Sequence, residues 1–222
     1  MEFNKQQLIN HLLSSDNFTK NNDKVIDLIE KLKIAPSYPI ILVGGTNGKG
    51  STCAFLSTIL TNAGYKVGTF TSPHIFEYNE RIKINNHAIT DNELVKYLNH
   101  IIANGDSNLG IFKTFTLAAH LCFMEQKIDI AVIEVGIGGA KDTTNLFEPT
   151  ISAITGVALD HCDTLGDTIE KIGLEKSGIY RTNKLAFFGS KQIPASIINY
   201  AKSIKADLIR LNHEYTIKLH DN

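Results

Sequence analysis

The stretch that most restricts how this chain folds is IILVGGTNGKGSTCAFLSTIL, Ile40 to Leu60. Ile40 to Val43 form the short, continuous apolar run that a strand buried inside a parallel sheet needs. A glycine-rich turn follows, and then a helical segment that stops at Gly64. Strand, glycine turn and helix in that order are the context of a phosphate-binding loop. Gly44, Gly45 and Gly48 let the backbone approach an anion, so that successive N–H groups form a nest at a helix N-terminus. Lys49 is placed to reach the β- and γ-phosphates of a nucleotide, and Ser51 to offer its hydroxyl to Mg²⁺. The spacing departs from the usual P-loop, because Gly50 stands between Lys49 and the hydroxyls of Ser51 and Thr52. The plainer reading is an ordinary βα turn with a solvated lysine. Three glycines, a lysine and adjacent hydroxyls between strand and helix favour the phosphate loop.

The same alternation continues downstream. YKVGTFTS (65–72), IDIAVIEVG (128–136) and TISAITGVAL (150–159) read as strands, as do the later LAFFG, ADLIRL and YTIKLH. Helices are expected over about 3–32 in the opening segment, from Thr90 with a Thr90/Glu93 capping box to about Ala103, over 113–126, over 167–178 and from Pro194 to about Ser203. NGDSNLG (104–110) reads as a loop. The expected fold is α/β, a doubly wound, mostly parallel sheet, whose ligands bind at the carboxyl ends of the strands.

Two such ends carry chemistry. Glu134 follows directly on a buried run, where an acid orders Mg²⁺ in a nucleotide site, although a lone strand-end glutamate is more often solvated. Asp160 and His161 follow the fourth strand, where a neutral imidazole ligates a metal or positions a phosphate; an ordinary polar loop histidine is the alternative. A His161–Cys162 nucleophilic dyad is disfavoured, because adjacent residues rarely face each other and no oxyanion donors are apparent. Lys176, taken alone, is a surface lysine in the last turn of its helix.

Bulk properties exclude other classes. The 222 residues carry a formal net charge of −1 and are 43% hydrophobic, which suits a packed globular unit and gives no sign of nucleic acid or an anionic membrane as partner. No apolar run approaches the ~20 residues of a membrane span, and the first residues do not read as a secretory signal. The three cysteines, Cys53, Cys122 and Cys162, form neither a metal-spaced cluster nor a disulfide framework, so a cytoplasmic setting is expected.

Four stretches together resemble one family: GGTNGKGST, TFTSPHIFEYNERIKIN, AVIEVGIGGAKDTTN and ALDHCDTLGDTIEKIGLEKSGI. They are similar to folylpolyglutamate synthase and dihydrofolate synthase of the Mur ligase superfamily, over about Leu32 to Arg181, with weaker likeness beyond. The resemblance implies a Mur-ligase central-domain-like fold and ATP-dependent amide formation. A pterin-linked carboxylate is phosphorylated, and the L-glutamate amine displaces phosphate from the acyl phosphate. It implies ATP bound by Gly45, Thr46, Asn47, Gly48, Lys49, Gly50, Ser51 and Thr52, and a Mg²⁺ site from Ser51, Ser72, Glu134 and His161. Lys49, His161 and Lys176 become the catalytic candidates, with Lys176 matching a lysine that the family carbamylates. Pro73, His74, Asn79, Glu80, Arg81, Asp142 and Asn145 fall on the pteroate or folate side.

One ATP-binding ligase domain over 1–222 is expected, with 1–39 as a helical segment packed on it, acting as a monomer on small molecules and lacking the family's second domain. Lys113 and Ala140 stand where the family usually carries Glu and often Arg. The alternative function is a truncated or degenerate relative that binds nucleotide or pterin without catalysis. A GTPase switch is disfavoured, because no guanine-specifying N-K-x-D occurs.

Overall fold

The structure is a computed structural model that describes residues 3–14, 21–105 and 109–217. In chain order its elements are α1 (Lys5–Ser14), α2 (Asp23–Lys31), β1 (Ile40–Gly44), α3 (Lys49–Asn62), β2 (Val67–Phe70), β3 (Ile82–Ile84), β4 (His87–Ala88), α4 (Asp91–Asn104), α5 (Ile111–Gln126), β5 (Ile130–Glu134), β6 (Ile151–Ile154), α6 (Cys162–Leu165), α7 (Ile169–Ser177), β7 (Leu185–Phe188), α8 (Ala195–Ser203) and β8 (Asp207–Arg210). Short 3₁₀ turns lie at Tyr78–Arg81 and Thr143–Leu146. The strands make a mixed, mostly parallel sheet of the α/β class, as the alternation predicts.

The chain divides into two compact units, Met1–Pro39 with Cys53–Ile133, and Ile40–Thr52 with Glu134–Asn222. In the first, the strand order is β4-β3-β2-β5. β2 and β5 run parallel, with Thr69 opposite Val132, while β3 and β4 are antiparallel. Helix α4 begins with the expected capping box: Thr90 Oγ1 accepts from the Glu93 amide, and the Glu93 carboxylate accepts from the Thr90 amide. Leu94, Leu98 and Ile101 of α4 and Phe115, Leu117 and Phe123 of α5 are buried. Removing that much apolar surface from water is the dominant favourable term for the unit.

The second unit holds β1-β6-β7-β8, all parallel. Leu42 lies opposite Ser152, and Ala153 opposite Phe187. All five residues of β1 are buried, which is why its sequence is continuously apolar rather than alternating. Ile172 of α7 and Ile197 of α8 are fully buried, as are Ile154, Ile179 and Phe188.

The structure departs from sequence expectation in several places. The opening segment is two helices, with 15–20 outside the described residues. β6 stops at Ile154 rather than near 159, and the next residue, Thr155, turns its hydroxyl onto the glycine loop. A hairpin, β3–β4, occupies a segment for which no element is expected from the sequence. Its turn is Asn85-Asn86, both with positive φ (49° and 67°), the backbone that a two-residue type I′ hairpin requires. The strand expected at YTIKLH is a single bridge between Leu211 and Tyr215, and 218–220 lie outside the described residues, as do 106–108 of the expected loop.

Candidate active site

The second unit builds the glycine loop between β1 and α3. Gly45 has φ 139° and Gly48 φ 80°, conformations that side chains rarely adopt. A Cβ on Gly45 would also collide with the side chain of Thr155. That residue braces the loop: its Oγ1 lies 2.6 Å from the Asn47 carbonyl and 3.3 Å from the Gly44 carbonyl. Thr46 is tied to the segment after β6. Its amide donates to the Gly156 carbonyl (2.9 Å), and its hydroxyl accepts from the Ala158 amide (3.0 Å). Lys49 opens α3 and reaches back to the Thr46 carbonyl (3.3 Å), while Thr52 Oγ1 donates to the Gly48 carbonyl (2.8 Å). The loop is therefore held by its surroundings before any anion arrives. Asn47, Gly48 and Ser51 are exposed.

Glu134 ends β5 and is only 4% exposed. Its carboxylate faces Gly50 in the first turn of α3: a Cβ built there would lie 3.5 Å from Oε2. The glycine that breaks the usual P-loop spacing thus stands where any side chain longer than a methyl would press on a carboxylate.

Lys176 is not the surface lysine its helix position suggests. It is 4% exposed, and its Nζ donates to the Gly45 carbonyl at 3.0 Å. Burial foremost, and then the charge of Lys49, push its amine down to about 8; Asp160, Glu175 and Asp142 partly oppose this. A lysine near that value carries a neutral fraction at physiological pH that an ordinary lysine lacks.

Asp142 and Asn145 serve their own loop. The buried Asp142 carboxylate accepts from the Ile137 amide (3.1 Å), the Thr144 amide (2.9 Å) and the Thr144 hydroxyl (2.6 Å). Burial nevertheless holds its carboxyl above the usual range. Asn145 Nδ2 donates to the Ala140 and Gly178 carbonyls, and its Oδ1 accepts from Arg181. His161 caps the short α6 with φ 49°, and its half-exposed ring lies 3.7 Å from the Asp160 carboxylate.

In the first unit, Ser72 to Arg81 form a loop organised by Glu80. That carboxylate accepts from the amides of Ile75 (2.8 Å), Phe76 (3.0 Å) and Glu77 (2.8 Å), which holds it below the usual carboxylate range. The loop consequently displays Ile75 and Phe76 at 80% and 85% exposure. Arg81 is buried, with Nε on His74 Nδ1 (3.2 Å) and its guanidinium over the rings of Tyr78 (5.7 Å) and Phe115 (5.4 Å). The His74 ring lies tilted at 40° against Tyr78, with ring centroids 4.1 Å apart, and burial with the Arg81 charge lowers its pKa. Asn79 is buried and donates to the Ile89 carbonyl and to Asp91. The Ser72–Pro73 peptide is cis. Lys113 Nζ donates to the Asn21 carbonyl.

Hydrogen bonds thus join Thr46, Lys49 and Lys176 to the glycine loop, and Glu134 packs against its Gly50. Three contributors were missed in the sequence: Thr155, Tyr78 and Phe115. Thr155 lies inside the segment expected to be strand, and no motif marks it.

A family model described as Mur ligase middle domain matches residues 43–220. The chain belongs to that family. This Mur ligase middle domain is 39% identical over 189 residues to the dihydrofolate synthase/folylpolyglutamate synthase of Haemophilus influenzae, covering 85% of this chain and 43% of that protein. It is 42% identical over 157 residues to human mitochondrial folylpolyglutamate synthase, covering 67% of this chain and 27% of that one. Escherichia coli FolC in complex with ADP superposes with a TM-score of 0.91 at 33% identity, over 97% of this chain and 53% of that one. A bifunctional folylpolyglutamate synthase/dihydrofolate synthase with Mn, AMPPNP and L-glutamate bound gives 0.88 at 36% identity, over 96% and 52%. The Mur ligase middle domain spans about half or less of the length of these relatives.

Proposed function

We propose that residues 1–222 act as the ATP-binding ligase domain of a cytoplasmic folylpolyglutamate/dihydrofolate synthase, which joins L-glutamate to a pteroate or folate carboxylate. The observation that carries this reading is the Glu134 carboxylate lying against Gly50 in the first turn of α3, beside a glycine loop that already holds Lys49 and Lys176. The relatives with ADP, AMPPNP and Mn bound support the nucleotide and a divalent cation.

In this reading the amides of the glycine loop and Lys49 take the β- and γ-phosphates. The residues present fit Mg²⁺. Glu134 and Ser51 supply hard oxygens, and no three His, Cys, Asp or Glu side chains cluster among the described residues, so phosphate oxygens and water complete such a shell. His161 is a further ligand candidate on the same unit. When bound, Mg²⁺ screens the repulsion between the transferring phosphoryl group and the acceptor carboxylate. Phosphorylation turns that carboxylate into an acyl phosphate, with ADP leaving. The glutamate amine then attacks the acyl carbon, phosphate leaves and the amide forms.

Lys176 has the buried, partly neutral amine that carbamylation requires. The product would be an anion in place of a cation beside Gly45. The loop Ser72–Arg81 is the acceptor loop, with Arg81, His74 and the exposed Ile75 and Phe76 facing the pterin-linked substrate. Asp142 and Asn145 support the site by holding the segment that follows Glu134.

The test is calorimetric titration with AMPPNP and Mg²⁺, then ADP release with dihydropteroate or tetrahydrofolate plus glutamate. Lys49→Ala should weaken AMPPNP binding by at least about tenfold, the loss of a charge-assisted contact. Unchanged binding would refute the nucleotide site. Nucleotide binding without turnover by a chain extended to the length of its relatives would favour the non-catalytic alternative.

A further inference from the structure

The first unit ties its N-terminal helix to the acceptor loop through one cation. Lys5, the first residue of α1, donates from Nζ to Glu77 Oε2 at 2.9 Å and to Asp91 Oδ1 at 2.8 Å. Its side chain is 24% exposed, against 66% and 64% for the two carboxylates, so the ammonium is the most sheltered of the three. Asp91 Oδ1 is shared: it also accepts from Asn79 Nδ2 at 3.0 Å, and the same nitrogen donates to the Ile89 carbonyl at 2.8 Å. Glu77 caps the 3₁₀ turn Tyr78–Arg81, and its own amide is one of the three held by Glu80. The loop is therefore gripped at Glu77, 72 positions downstream of Lys5, and tied to the start of α4 at Asp91, which in turn holds Asn79.

An isolated surface ion pair contributes little, because ordering two long side chains offsets a screened attraction. This one differs in two respects. Leu8, Ile9 and Leu12 are buried, and α1 packs on α4 and α5, so the backbone of Lys5 is already ordered. One ammonium also serves two carboxylates, one of which is fixed by Asn79.

We infer that Lys5 is a positioning residue for the acceptor loop. It fixes Glu77 and Asp91 relative to each other and, through them, the stretch that carries His74, Ile75, Phe76 and Arg81. This rests on the acceptor role proposed for that loop. Lys5 acts through the two carboxylates and sets acceptor affinity without altering nucleotide affinity.

Lys5→Met removes the charge but keeps an unbranched helix-forming side chain, and Lys5→Arg restores donors for two carboxylates. In the 222-residue chain, hydrogen–deuterium exchange at the Ile75, Phe76 and Glu77 amides should quicken about fivefold in Lys5→Met and return close to wild type in Lys5→Arg. Dihydropteroate affinity, measured by calorimetry with saturating AMPPNP and Mg²⁺, should fall by about the same factor, with AMPPNP affinity unchanged. Exchange in Lys5→Met within about twofold of wild type overturns the inference. Should Lys5→Met also raise exchange at Leu8 and Leu12, the Glu77→Gln/Asp91→Asn double variant decides, since it leaves α1 intact. Faster loop exchange there supports the clamp, and wild-type exchange overturns it. A wild-type chain that binds AMPPNP but no dihydropteroate refutes the acceptor role of the loop, while the exchange result still decides the clamp.

Discussion

Replacing Lys176 by methionine should stabilise the folded chain at neutral pH while impairing the site. The amine falls from an ordinary 10.5 to about 8. At about 1.4 kcal/mol per factor of ten, protonated Lys176 lowers folded-state stability by about 3 kcal/mol. The residue is 4% exposed, so solvent screening does not reduce this much. Methionine removes that penalty and forfeits the hydrogen bond to the Gly45 carbonyl, about 1 kcal/mol, leaving a net gain of about 2 kcal/mol at pH 7. The sign follows from linkage. Between about 8 and 10.5 the unfolded chain binds the proton that the folded chain has released, so wild-type stability from this group rises with pH. The penalty is absent above 10.5, accumulates as pH falls to about 8 and is constant below. Urea unfolding of both proteins from pH 7 to 10.5 gives a difference curve in which all shared titrations cancel. That curve should shrink by about 3 kcal/mol across the window and change sign near its upper end. A flat curve, or a less stable Lys176→Met protein at pH 7, would refute the burial argument.

Three further outcomes follow from the same geometry. Gly45→Ala forces a Cβ into Thr155 at φ 139°, so it should lower stability by about 2 kcal/mol and abolish AMPPNP binding in calorimetry. Thr155→Val deletes the hydroxyl that braces Asn47 and Gly44; stability should fall by about 1 kcal/mol and AMPPNP affinity by about tenfold. Glu80→Gln removes the charged acceptor of three loop amides, so their hydrogen exchange should quicken and dihydropteroate binding weaken, with AMPPNP binding unchanged. The Glu80 carboxyl sits below its usual range, so in the wild type the loop order it provides should persist above the ordinary carboxylate pKa of 4.5 and be lost only as pH falls through its lower folded value.

The local features were legible in the sequence because they depend on neighbours along the chain. The apolar run Ile40 to Val43, the glycines of the loop, the Thr90/Glu93 capping box and the placement of Glu134 at a strand end all appear where the sequence puts them. Asn85-Asn86 belonged to the same class, and its hairpin was missed because the flanking strands are only three and two residues long. Other properties had no local signal. Lys176 reads as a surface residue until a contact 131 positions away buries it against Gly45. Nothing local shows that the carboxylates of Glu80 and Asp142 collect amides of their own loops. Thr155 carried no motif at all. The sequence by itself determined which elements form and which residue types stand at the strand ends, since periodicity and turn chemistry act over a few residues. Only the tertiary structure decided which of those side chains are desolvated, which are charged and which grip one another, because dielectric and packing are set by segments far apart in the chain.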